Sequence, residues 1–265
     1  MSASTLATIA LSFLTGLLLC TITVGAEPPV KHDGHPLDPV ILWADNALRR
    51  TEEIKDYTAL LTKRERIGDK LQDYQYLQLK VRHRPFSVYL KFLKPSQLAG
   101  RETIYVEGQN EGMLLAHDTG GLGQLIGTVS LAPDGLIAMR GQRYPVTMIG
   151  FKNLGVKLIE QAKRDREIDS PCDVKWFKGA KVNGRPALCI QVSHPARHPE
   201  QQFAMARVCI DQQFGIPIRY EGNAWPEKQD GASLLVEEYT YSSVRLNVGL
   251  TDQDFDPKNP QYNFQ

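Results

Sequence analysis

No catalytic signature stands out in this chain. It has no Gly-x-Ser-x-Gly elbow, no Cys-x-x-Cys pair and no His-Glu-x-x-His helix, the spacings that nucleophilic, redox and zinc chemistry most often leave in a sequence. A Gly-x-Gly-x-x-Gly fingerprint and a Walker lysine are also missing, so neither a dinucleotide nor a phosphate loop is marked and no cofactor is implied. Triads built from distant residues would leave no such trace. An excess of one charge is lacking too: 31 Lys and Arg against 30 Asp and Glu give a formal net charge of +1. That balance, spread along the whole length, argues against nucleic acid or a strongly charged polymer as the main partner.

Charged side chains are absent altogether from residues 1–26. Instead, an apolar run over 6–24 ends in Val24-Gly25-Ala26, followed by Glu27-Pro28-Pro29. This is a hydrophobic segment with a small-x-small cleavage site, so we expect a signal peptide over 1–26 and an exported protein of the periplasm or outer cell envelope. The start of the segment carries no Lys or Arg, which keeps an uncleaved membrane anchor as the alternative. Lipid attachment at Cys20 ranks below simple cleavage, because Leu19 is not the small residue that such processing favours. Residues 27–37 are Pro, His, Gly and charge without apolar period and are expected to be a flexible leader, and 38–265 a single domain.

Cysteine is scarce. Cys172, Cys189 and Cys209 remain after cleavage, enough for one disulfide and a spare thiol in an oxidising compartment. Cys189 and Cys209 sit in strand-like runs that a hairpin centred near His198-Pro199 would place opposite each other, so they are the expected pair. The alternative is that all three are small buried hydrophobes.

What the chain does have is periodicity. Asp38-Pro39 opens a helix over about 39–53, with Val40, Trp43, Ala44, Ala47 and Leu48 at helical spacing. The period then switches to two. Residues 57–66, 72–82, 86–93, 101–107 and 112–117 alternate as strands divided by short turns, which implies an antiparallel meander. In the third of these, Phe86, Val88, Leu90 and Phe92 point one way and Ser87, Tyr89 and Lys91 the other.

Gly120-Gly121-Leu122-Gly123 is read as a loop or lid hinge. A second helix over 151–167 places Leu154, Leu158 and Ile159 on one face and Lys157, Glu160, Lys163, Arg164 and Asp165 on a solvated one, whose basic character would also suit a membrane surface. Strand-like runs return at 173–178, 186–192, 203–210, 216–221 and 234–244. The first two flank Val182-Asn183-Gly184-Arg185, a strong hairpin signal. About ten strands in two runs suit one strongly curved sheet or an incomplete barrel.

Metal sites fare poorly. His194 and His198 have ligand-like spacing, but Pro195 and Pro199 forbid a helix there, and the segment is expected to be a surface loop. Asp252, Asp254 and Asp256 alternate as in a calcium loop, yet Pro257 stands where glycine is needed, which leaves a capped C-terminal turn. No catalytic and no metal residue is assigned.

Several segments carry a resemblance: 57–66, Pro85-Phe86-Ser87-Val88-Tyr89-Leu90-Lys91-Phe92, Gly100-Arg101-Glu102, Tyr105-Val106-Glu107-Gly108, Met139-Arg140-Gly141 and 246–256. They resemble the bacterial family of domain of unknown function 1571, over nearly all of the mature chain. That family has no established activity to transfer. More remotely, the order of helix, meander, Arg-Pro-Phe strand and turn over the first half is similar to periplasmic lipoprotein carriers and their outer-membrane acceptors of the LolA and LolB kind. The similarity implies an unclosed barrel holding acyl chains under helical lids.

The fold expected is α+β, mainly β: an antiparallel half-barrel with an N-terminal helix and a mid-chain helical insert as lid. The function expected is a non-catalytic lipid or lipoprotein carrier that buries acyl chains in an apolar cavity, with contact at a membrane periphery. Phe86, Val88, Leu90 and Phe92 are expected on the dry face, with Ile104 and Val106 on the next strand. The alternative is an envelope interaction module with a sealed core. An enzyme would need convergent carboxylates, for which Glu65, Glu102, Glu107 and Asp118 are available.

Overall fold

The structure, a computed structural model, describes residues 34–120, 127–168, 170–226 and 231–264. The expected signal segment, most of the leader and residues 121–126 of the glycine-rich stretch lie outside them. Helix α1 (Asp38–Arg50) begins where the chain offers Pro39 to the first turn, a residue with no N–H to leave unpaired. The Asp38 carboxylate accepts the His35 N–H at 3.2 Å. Leu37, placed by its sequence in the leader, is fully buried, so the leader stops short of it. An apolar side chain just before a helix fixes the entry of the chain.

The first run of strands is β1 (Asp56–Ile67), β2 (Lys70–Leu71), β3 (Gln75–His83), β4 (Phe86–Lys94), β5 (Glu102–Val106), β6 (Leu114–His117) and β7 (Thr128–Leu131). Helix α2 (Phe151–Glu167) separates it from β8 (Asp173–Val182), β9 (Arg185–Ser193), β10 (Met205–Asp211), β11 (Pro217–Ala224) and β12 (Leu234–Leu246). All twelve join one sheet in the order β7-β6-β5-β4-β3-β1-β12-β11-β10-β9-β8, with β2 beside β1. Twelve replaces the ten or so expected, because β2 and β7 are too short to show an alternation.

Within each run most consecutive strands pair antiparallel, as short turns demand. Strand β1 pairs with β3 on one side and β12 on the other and so fuses the two meanders. Strands β7 and β8 remain as edges, and the fold is a mainly β, unclosed antiparallel sheet with two helices. Register shifts at Thr58/Leu60, Tyr76/Leu77 and Gly222/Asn223 add local bends.

Both helices lie over the concave face. Helix α2 starts after Gly150, whose φ of 107° and close approach to Tyr57 leave no room for a side chain: a Cβ there would stand 2.7 Å from the Tyr57 hydroxyl. The next residue, Phe151, stacks on Tyr57 of β1 with ring centroids 4.1 Å apart. Across the helix pair, Lys163 meets Asp45 at 3.3 Å and Arg166 meets Asp38.

The outer face carries a second, smaller core. Residues after β12 wrap back over β3 to β5, where Phe255, Tyr262 and Phe264 pack on Tyr89, Ile104 and Val106. Tyr262 stacks on Tyr89 at 4.0 Å. The aspartates that resembled a calcium loop tie this tail down: Asp252 and Asp254 pair with Arg82 at 2.6 Å and Lys80 at 2.7 Å. Asp254 also closes a capping box with Thr251.

Cys189 and Cys209 face each other across β9 and β10 and are joined by a disulfide. It closes a loop of 20 residues, so in the chain-entropy account it contributes about 3 kcal/mol. Replacing both cysteines with alanine is expected to lower the urea midpoint by a matching amount. An unchanged midpoint would show that strand pairing alone holds this edge.

Candidate functional site

A cavity of about 800 Å³, partly open to solvent, lies between the concave face and the helices. Small-molecule sites occupy roughly 300–1,000 Å³. Its wall runs from Val129 of β7 through Phe92 and Leu61 to Val208 of β10, and Leu48 and Leu158 of the two helices form part of its roof. The walls are mainly aliphatic because inward positions alternate with outward polar ones along each strand. On β11 and β12 the outward side is a ladder in which Arg219 pairs with Glu221 and Glu238.

Leu90 and Phe92 line this cavity, while Phe86 and Val88 share their side of β4 but lie in the packed core beside it. Ile104 and Val106 sit elsewhere. Tyr89 pairs with Ile104 and Leu90 with Thr103, which turns Thr103 inward and sends Ile104 and Val106 to the outer core under the C-terminal tail. They are apolar because both faces of β5 are covered, a fact that periodicity alone does not reveal.

One corner of the cavity is polar. Along β1 the inward positions run Tyr57, Ala59, Leu61 and then Lys63 and Glu65, and along β12 they run Tyr241, Tyr239, Glu237. Register places Glu65 directly opposite Glu237. Both are buried, at 5% and 1% exposure, where an uncompensated carboxylate would be costly.

Each has its own partners. Glu65 meets the Lys63 ammonium at 3.0 Å and accepts the Tyr239 hydroxyl at 2.6 Å. Glu237 accepts from the Arg143 Nε at 2.7 Å and from the Tyr144 hydroxyl at 2.8 Å. Burial first, then the charges of Glu237 and Glu65, push the Tyr239 hydroxyl far above the ordinary phenol range, so it stays a donor.

Helix α2 adds Lys157, whose Nζ sits 3.2 Å from the centre of the Tyr144 ring. Burial holds this ammonium below the usual lysine range, against the pull of Glu237. Sequence reasoning set Lys157 and Asp165 on a solvated helix face. In the structure both line the cavity, and Asp165 is buried. Asp165 meets His194 at 3.3 Å, and His194, expected in a surface loop, is 6% exposed because Gln201 folds back onto its Nδ1 at 2.9 Å.

Of the four available carboxylates, Glu65 meets another, Glu237, across the β1–β12 pair, but the four do not meet one another: Glu102 faces the outer core and binds Asn263 of the tail, Glu107 lies at the surface near the β4 start, and Asp118 pairs with Arg101 at the cavity rim. The polar corner was legible only in part. A run of inward positions that turns from Leu61 to Lys63 and Glu65 was the available signal, while Arg143 and Tyr144 lie in a segment without period.

A family model described as "Protein of unknown function (DUF1571)" matches residues 54–264, the span from the end of α1 to the tail. The chain belongs to that family. No curated protein matches the sequence. Among solved structures, this DUF1571 member is similar to the Mycobacterium tuberculosis lipoprotein LppX, at 15% identity over 83% of this chain and 100% of that one, with a TM-score of 0.46. It is also similar to a domain described as an outer membrane lipoprotein-sorting protein from Vibrio parahaemolyticus, at 13% identity over 82% and 95% with a TM-score of 0.39. A LolA superfamily protein from Nitrosomonas europaea matches at 11% identity over 80% and 97%, with a TM-score of 0.33. Overlaps of this size leave the function to be read from the cavity.

Cys172, the free cysteine among the described residues, lies near this site. Burial, followed by the Asp165 and Asp173 charges, pushes its thiol up to about 11. At pH 8.5 its reaction with iodoacetamide is expected to be on the order of 100-fold slower than that of an exposed cysteine, since the thiolate is the nucleophile. Rapid labelling at that pH would place the thiol in a different environment.

Proposed function

We propose that the protein is an exported carrier that binds the acyl chains of a lipid or lipoprotein non-covalently beneath α1 and α2. The cavity carries this reading. Native interiors leave few voids larger than a water molecule, and an apolar space of about 800 Å³ far exceeds what packing defects account for. Burying a chain of a dozen methylenes would contribute on the order of 10 kcal/mol before ordering costs, enough for tight and reversible capture. The same cavity weighs against a sealed interaction module. Export is supported by the apolar run over 6–24 and by the disulfide between Cys189 and Cys209, a bond that persists in oxidising compartments.

Loading needs a route from a membrane. Ile137, on the segment before Arg143, lines the cavity mouth while remaining 72% exposed, and its neighbour Leu136 is 94% exposed. Two adjacent aliphatic side chains held in water beside an apolar opening suit shallow contact with a bilayer. Replacing both with serine is expected to reduce co-sedimentation with phospholipid vesicles several-fold. Equal co-sedimentation would move the contact elsewhere.

The direct test is uptake of a fluorescent fatty acid by protein refolded without lipid. Saturable binding is expected. Val208→Trp, which fills the cavity from a half-buried wall position, should weaken it about tenfold or more without loss of the folded transition. Absence of saturable uptake by the parent protein would overturn the proposal.

A further inference from the structure

The polar corner has a cation to spare. Two buried carboxylates, Glu65 and Glu237, face three cations, Lys63, Arg143 and Lys157. Lys63 is taken up by Glu65, and Arg143 by Glu237. Among the described residues Lys157 has no carboxylate within ion-pair distance; its partner is the face of the Tyr144 ring. Its own turn of α2 continues into the apolar roof, through Leu154 and Leu158. A half-buried ammonium thus stands where an aliphatic cavity meets a hydrogen-bonded floor, with the hydroxyls of Tyr144 and Tyr239 committed to the two glutamates.

An ammonium in such a place is satisfied best by an anion that brings its own apolar body. Water would solvate it at the expense of the surrounding wall, and a free small anion would leave the rest of the cavity empty. A neutral head, such as an ester or amide, offers the ammonium only acceptor oxygens, whereas an anion adds the direct attraction of opposite charges, which is stronger away from bulk water.

Resting on the carrier reading, we infer that the cavity selects amphiphiles with an anionic head, a fatty carboxylate or a lipid phosphate. Lys157 is the counter-ion of the head, and the chain runs along the wall formed by Leu61, Phe92 and Val208. The two glutamates are part of the selection. They engage Lys63 and Arg143, so that Lys157, on the helix rather than the sheet, is the half-buried cation left for the head; of the other guanidiniums along the cavity, Arg101 is paired with Asp118 and Arg140 is exposed to solvent. This narrows the cargo: a fully acylated and esterified lipid anchor without a charge near its chains would not use Lys157.

Competition binding with hexadecanoate, hexadecyl phosphate and hexadecanol tests the inference, since the three share a chain length and differ in the head. The protein is expected to bind at least one of the two anions about tenfold or more tightly than the alcohol, and the larger ratio identifies carboxylate or phosphate as the head. In Lys157→Met that ratio should collapse towards one, and in Lys157→Arg it should persist. Equal affinity for anions and alcohol in the parent protein would overturn the inference and leave the carrier reading standing. A ratio retained in Lys157→Met would overturn the assignment to Lys157. If none of the three is taken up, the carrier reading fails and the inference with it.

Discussion

The pairing of β1 with β12 holds the rest of this structure in place. It is the link between two antiparallel meanders that are otherwise local, and it joins residues nearly 190 positions apart, Tyr57 with Leu246. Without it there would be two smaller sheets, each with an exposed inner edge and neither wide enough to curve around a cavity. The same register sets Glu65 beside Glu237. Like charges directly opposite on adjacent strands are unfavourable, so the pairing is compatible with folding only because Lys63, Arg143, Tyr144 and Tyr239 converge on the two carboxylates. The central seam and the polar corner are therefore one feature.

Two kinds of attachment hold the cover. At its base, Phe151 is stacked on Tyr57 and fully buried, which anchors the start of α2 to the seam. Farther along, α1 and α2 are joined by partly exposed ion pairs, Lys163 with Asp45 and Arg166 with Asp38, of a kind that water and salt screen and that contributes little. The roof is therefore firm at one end and weakly held at the other, and local opening draws on the least stable elements. The outer core works in the opposite sense. With Tyr262 stacked on Tyr89 and Asn263 bound to Glu102, the tail stiffens the back of β4 and β5.

Much of this architecture was legible in the chain, for reasons that particular residues make plain. Both helices announced themselves through Pro39 and the spacing of Leu154 and Leu158, the Asn183-Gly184 turn marked the β8–β9 hairpin, and Phe86 to Phe92 defined one face of β4. Local chemistry decides those features. What was not legible depends on partners distant in sequence. The inward direction of β5 is set by its register with β4 and the apolarity of Ile104 and Val106 by the returning tail, so their period matches either face. Likewise His194 is buried because Gln201 and Asp165 enclose it, and neither is implied by the prolines that flank it. Lys157 and Asp165 look solvated on a helical wheel, yet the helix lies on a cavity rather than on a packed core, and polar residues can face inward there.

The central claim is that the space under the helices belongs to a ligand. Native mass spectrometry of the protein, isolated without detergent from the cell that makes it, tests this most directly. The account predicts an intact ion heavier than the polypeptide that releases a lipid on activation. An ion at the bare polypeptide mass, from preparations never exposed to detergent or denaturant, would contradict it.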